Sequence, residues 1–157
     1  MSQWIRWTAP AAALVSVTSA AHAVQYLSVA QAQKLAFPSA TQFVAVQVGR
    51  VWRAEAGGRA LGLFVFDRVI GKHLFIDYTV AIDPAGRVHR VDILQYRESY
   101  GGEVRQASWL AQFVGKTSAS PLQVNSDIRN ISGATLSSHH VTEGVKRVLS
   151  LYGHGVR

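Results

Sequence analysis

Cysteine is absent from the 157 residues. No disulfide can staple this fold, and thiolate-bound zinc or iron–sulfur centres are excluded, so if the chain moves electrons it needs an organic cofactor or haem. Acidic residues are few. Nine Asp and Glu stand against sixteen Lys and Arg, for a formal charge of +7, a balance that favours anionic partners. The basic residues are scattered without a dense block, so nucleic acid is not expected among those partners. A GxSxG elbow, a P-loop and a GxGxxG string are also missing, which leaves hydrolase, NTPase and dinucleotide-fold readings without support. His139 and His140 are neighbours in a helical pattern, about 100° apart around its axis. They have no His-x-x-x-His partner or third ligand, and no metal site is expected.

Beyond the first residues no stretch is apolar for the roughly 20 residues that a helical span needs. The N-terminus reads as an export signal. Arg6 gives a positive start, Trp7 to Val17 is apolar and small, and Ala21-His22-Ala23 has the small-x-small form of a signal peptidase site. Cleavage before Val24 is expected. The chain then divides into a signal peptide, 1–23, and one domain, 24–157, of charge +6 without Arg6. That domain is expected to be soluble in the periplasm or another extracytoplasmic space, with association to the inner membrane left open.

Ser28-Val29-Ala30-Gln31 has the form of a capping box ahead of a short helix, which Pro38 closes. From Thr41 to Tyr96 β-branched and aromatic residues dominate. Phe43–Val48, Leu61–Phe66, Leu74–Ile82 and Val88–Leu94 read as strands, with turns at Gly57-Gly58 and Asp83–Gly86. Connections this short join antiparallel neighbours. Glu103 to Phe113 can form a helix burying Val104, Trp109, Leu110 and Phe113, and Thr117 to Asn125 is a looser connection. The fold class expected is α+β: a mostly antiparallel sheet packed with a few helices.

The stretch with chemical promise is Ile131-Ser132-Gly133-Ala134-Thr135-Leu136-Ser137-Ser138. After it Val141, Val145, Val148, Leu149 and Tyr152 recur at helical spacing, with Thr142, Glu143, Lys146 and Arg147 on the other side. A helix is expected to begin at Ser137 or Ser138, with a serine as N-cap, so its positive end attracts anions. Gly133 and Ala134 leave the Thr135 hydroxyl open to a bulky partner. A plain capping loop with nothing bound has the same composition. Gly101-Gly102, beside Tyr96 and Tyr100, can likewise be a simple turn or a close approach to a planar ligand.

The string Ser-Gly-Ala-Thr-Leu-Ser-Ser resembles the flavinylation motif of FMN-binding domain proteins, the family that includes the periplasmic flavin subunits of the Nqr and Rnf electron-transport complexes. Two further segments carry the resemblance. Glu98, Ser99 and Gly101 match a Glu-Thr-Pro-Gly-like segment with Tyr100 in place of proline, and Trp109 to Lys116 is similar to a Gln-Phe-x-Gly-Lys segment. Arg129 stands where the family usually has an acidic residue, with Asp127 two positions further off. The resemblance runs from about Asp77 to Leu151. It implies FMN joined through a phosphoester to Thr135, installed by a flavin transferase, with Ser132, Gly133, Ala134, Leu136, Ser137, Ser138, Glu98, Ser99, Tyr100 and Gly101 around the cofactor.

By that resemblance the chain is an exported electron carrier working with a membrane or periplasmic redox partner, rather than a stand-alone oxidoreductase. Two alternatives stay open: a flavin-dependent reductase of a small substrate, and a non-redox adaptor that kept the fold and lost the cofactor.

Overall fold

The computed structural model describes residues 24–156; the expected leader, 1–23, lies outside them. The strands among the described residues are β1 (Val24–Gln25), β2 (Gln42–Gln47), β3 (Val51–Ala56), β4 (Arg59–Ile70), β5 (Phe75–Ile82) and β6 (Val88–Tyr96). They make a single antiparallel sheet in the order β1-β6-β5-β4-β3-β2. With the helices α1 (Val29–Ala36), α2 (Ala107–Leu110) and α3 (Thr135–Tyr152), the architecture is the α+β domain expected from the sequence.

Successive residues of a strand point to opposite faces, and both faces of this sheet are covered. On one, Val65, Tyr78, Val80 and Val91 pack with Val141, Val145, Val148 and Leu149 of α3. On the other, Ala54, Phe64, Ala81 and Leu94 meet Ala32 and Ala36 of α1. The four α3 side chains are buried almost completely, and each contributes roughly 1.5–3 kcal/mol of hydrophobic stabilisation. The expected capping box is present: Ser28 Oγ accepts the Gln31 N–H at 3.2 Å, and Gln31 Oε1 accepts the Ser28 N–H at 2.8 Å. The helix stops at Ala36, ahead of Pro38.

Four elements differ from the sequence reading. The two-residue strand β1 is additional, and so is strand β3. Only Val51 and Ala54 in it are buried, and a register shift between Ala54 and Glu55 breaks the period of two that marks a strand. The stretch 103–113 is not one helix. A 3-10 turn, Gly102–Arg105, is followed by extended Gln106 (φ −60°, ψ 127°), then α2 and a second 3-10 turn, Ala111–Phe113. The Gln106 carbonyl accepts from the Trp109 and Leu110 amides and so starts α2 afresh, while Val104, Trp109, Leu110 and Phe113 are buried as expected.

Helix α3, finally, begins at Thr135 rather than at Ser137 or Ser138, and its N-cap is Ala134, with no side-chain cap. Ser137 and Ser138 are drawn into its buried face. Thr142, expected on the polar side, is buried as well, and its hydroxyl donates to the Ser138 carbonyl at 2.7 Å.

Close approach of α3 to the sheet depends on Gly144, where a Cβ would lie 2.4 Å from the Tyr78 hydroxyl. That hydroxyl donates to Asp67 Oδ2 at 3.0 Å, and the same carboxylate receives Arg147 at 2.7 Å and Arg50 at 2.9 Å. Burial and the Asp67 charge push the Tyr78 phenol well up from its ordinary pKa. Burial alone would raise Asp67 too, but the hydrogen bond from Arg147 and its neighbours leaves it lowered.

Candidate functional site

Ile131 C=O accepts the Ala134 N–H at 3.0 Å, and Gly133 takes φ +85° between them, so the loop turns sharply into α3. The first helical bond runs from the Ser138 N–H to the Ala134 carbonyl at 2.9 Å. The amides of Thr135, Leu136 and Ser137 have no carbonyl one turn back, and the Ala134 N-cap supplies no side-chain acceptor. Thr135 is exposed, and Asn130 Nδ2 donates to its Oγ1 at 3.3 Å. A Cβ at Gly133 would meet nothing within 4 Å, so the loop is open at Gly133, two residues before the threonine.

That loop is held from below. Trp109 Nε1 donates to the Arg129 carbonyl at 2.7 Å, and Gln112 Oε1 accepts the Arg129 amide at 2.8 Å. Asp127 pairs with Lys116 at 2.8 Å and accepts the amides of Gln123 and Leu122. Its carboxyl is lowered to about 2, chiefly by the Lys116 hydrogen bond. The segment from Trp109 to Lys116 thus fixes the approach to Thr135.

Tyr96, at the end of β6, joins the other wall. Its hydroxyl donates to the Tyr100 carbonyl and sits 2.9 Å from Ser137 Oγ. Gly101, at φ +88°, rests on this pair, where a Cβ would come within 2.6 Å of the Tyr96 oxygen.

Two hollows share the walls Tyr100, Gly101 and Gly133. The smaller, about 250 Å³, also has Thr135, Leu136, Ser137, Ala134 and Lys72 around it. The larger, about 730 Å³, is bounded further by Tyr26, Leu27, Ile93, Leu110, Ser99 and Arg105 among others. Its volume falls within the range of ligand pockets, and its lining mixes apolar and polar groups as such pockets do. Arg105 lies over the Tyr26 ring, 4.8 Å from its centroid.

The residues singled out from the sequence therefore separate. Gly133, Ala134, Thr135, Leu136, Ser137, Ser99, Tyr100 and Gly101 all line one hollow or both. Ser132, Ser138 and Glu98 line neither. Ser138 is fully buried with its hydroxyl unpartnered. The Glu98 carboxylate accepts the amides of His73 and Leu74, the latter at 2.7 Å. Burial would raise this carboxyl, but the amides of Leu74, His73 and Lys72 outweigh it and hold it low. His140 Nδ1 is 2.8 Å from the Gly71 carbonyl; a carbonyl only accepts, so this nitrogen carries the proton. No cluster of three or more His, Cys, Asp or Glu able to hold a metal occurs among the described residues.

Lys72, Tyr26 and Arg105 did not stand out in the sequence. They come from three separated segments: the turn between β4 and β5 brings Lys72 to the smaller hollow, while the pairing of β1 with β6 and the 3-10 turn Gly102–Arg105 bring Tyr26 and Arg105 to the larger.

An exposed threonine at an uncapped helix start, beside two adjoining hollows, is an arrangement that can accept an anionic ligand. Residues 71–150, just over half the chain, match the family model described as FMN-binding domain. The chain belongs to the FMN-binding domain family, which supports FMN as its cofactor and makes a flavoprotein the class. No curated protein matches it.

The residues present fit that group. Backbone donors without acceptors and a lysine suit a phosphate, an exposed hydroxyl suits an ester, and the larger hollow suits a planar ring system.

Proposed function

We propose that the chain is an exported electron carrier in which FMN is joined through its phosphate to Thr135 Oγ1. The supporting observation is the position of that residue: exposed, first in an uncapped helix, and lining the smaller hollow with Gly133. The amides of Thr135, Leu136 and Ser137 receive the phosphate, and Tyr26, Leu27, Ile93 and Leu110 form the apolar part of the ring-side wall. FMN, when bound, supplies reversible electron transfer, while the protein supplies position and electrostatics. A helix terminus gives an anion only about 0.3–1 kcal/mol. That is too little to retain a flavin in a dilute compartment, which is the physical reason for a covalent bond.

Ester formation transfers the FMN phosphoryl group from FAD to Thr135 Oγ1: the pyrophosphate bond of FAD breaks, AMP leaves, and the Thr135 hydroxyl gives up its proton. The hydrogen bond to that hydroxyl comes from an amide donor, Asn130, so the base has to come from a separate catalyst, in keeping with a flavin transferase as maturation partner. A redox partner in the membrane or periplasm then exchanges electrons with the loaded protein. No helix among the described residues is long and apolar enough to cross a membrane, and export rests on the leader at 1–23.

Protein co-produced with a flavin transferase and recovered from the periplasm tests the reading. Intact mass and peptide mapping are expected to find a chain starting at Val24 with FMN on the peptide containing Thr135. An unmodified peptide there removes the proposal. Rapid turnover of a small soluble acceptor by loaded protein would move the assignment to a reductase.

A further inference from the structure

The turn Gly71–Leu74 joins β4 to β5 and closes on itself, the Gly71 amide donating to the Leu74 carbonyl at 2.8 Å. Two side chains from distant parts of the chain also fasten it. Glu98, beyond β6, accepts the amides of His73 and Leu74, and His140, in α3, bonds the Gly71 carbonyl at 2.8 Å. Gly71 permits the first contact, since a Cβ there would lie 3.0 Å from both Glu98 Cγ and Oε1. Joining two antiparallel strands needs none of this, and ordering a surface turn costs chain entropy. What the fastening does achieve is to hold Lys72 at the wall of the smaller hollow with Gly133, Thr135 and Leu136.

Lys72 has no ion pair or hydrogen bond from its ammonium among the described residues. Several other cations are paired, Lys116 with Asp127, Arg97 with Asp77 and Arg147 with Asp67, whereas Arg105, beside the larger hollow, lies over the Tyr26 ring. The smaller hollow is thus lined both by Lys72 and by the start of α3 with its free amides, and no carboxylate lines it.

We propose that Lys72 is a phosphate-binding residue, its ammonium pairing with the phosphate that FMN brings to Thr135, and that Glu98 and His140 are positioning residues acting through the turn. This rests on the reading of Thr135 as the attachment point. It also gives Glu98 a different task from the one the family resemblance implied, placing a cation instead of touching the cofactor. A lysine suits the place because a compact point charge on a flexible stem can follow the phosphate from arrival to ester.

The test compares FMN with riboflavin on the full mature chain made without transferase. K72Q is expected to weaken FMN about tenfold and leave riboflavin unchanged, the size of one charged contact. E98Q is expected to give part of that loss, and the K72Q/E98Q pair no more than K72Q alone. Native FMN affinity in K72Q, or an equal loss for riboflavin, overturns the proposal.

Should free FMN bind too weakly to measure, acetylation of Lys72 by an amine-reactive ester decides. Loading by transferase is expected to slow it about tenfold in the native chain and not in T135V; an equal rate in both overturns the assignment. Intact mass reports separately whether Thr135 is modified, so failure of the attachment reading is distinguishable from failure at Lys72.

Discussion

The Tyr96 hydroxyl lies 2.9 Å from Ser137 Oγ, tying the end of β6 to the first turn of α3. Because Tyr96 donates its proton to the Tyr100 carbonyl, Ser137 is the donor in this pair. The two walls around Thr135 are therefore one hydrogen-bonded unit. Y96F is expected to destabilise by about 1–3 kcal/mol and S137A by about 1 kcal/mol, with the double variant costing less than the sum. Urea unfolding measures all three, and strict additivity would show that the walls are not coupled. Burial, reinforced by the Glu98 and Glu103 charges and opposed by the Ser137 bond, raises the Tyr96 phenol. The folded state holds that proton more tightly than the unfolded one. This stabilisation is therefore complete below the ordinary tyrosine value of about 10 and is lost as pH climbs through the raised value. Y96F should show a flatter alkaline limb.

The sheet and the loop that carries Thr135 were legible because their signals are local. β-Branched runs between tight turns announce β2, β4, β5 and β6, and the Ser-Gly-Ala-Thr string announces Thr135. What stayed hidden depends on contacts between distant segments. The bulge in β3 erased its alternation, and Ala134 became the N-cap because Ser137 is held by Tyr96 and Ser138 is packed in the core. Lys72 gave no signal because a lone surface lysine has none until Glu98 and His140 are seen to hold its turn.

Replacing the threonine itself separates chemistry from folding. Thr135 is exposed, so T135V is expected to change stability by no more than about 0.5 kcal/mol. Covalent flavin should disappear after co-production with transferase. The measurements are thermal unfolding and absorbance of denatured, washed protein. Colour that survives denaturation in T135V would place the attachment elsewhere.

Helix α3 can present Thr135 only if its middle seats on the sheet, and Gly144 is where that seating is tightest. A Cβ there would come 2.4 Å from the Tyr78 hydroxyl and 2.9 Å from Val69 Cγ1. G144A is expected to cost about 1–3 kcal/mol as overpacking and to disturb the Tyr78 bond to Asp67 as well. Adding Y78F removes the crowded oxygen and should recover part of the loss. If G144A melts with the native protein, α3 can shift without penalty and the fit inferred at Gly144 is wrong.

Asp127 gives the clearest pH dependence. Its carboxylate holds the loop ahead of Thr135 through Lys116 and the Gln123 and Leu122 amides. The Lys116 bond, aided by those amides, lowers its pKa to about 2, against about 3.9 for an unperturbed aspartate. A lowered folded value means that the unfolded chain takes up the proton more readily, so the stabilisation is present above pH about 4 and fades as pH falls towards 2. D127N is expected to be less stable than the native protein by about 1 kcal/mol at pH 7, with the gap closing at pH 2. Denaturant unfolding at several pH values checks this. A constant gap across the acid range would mean that the destabilisation came from something other than the lost charge.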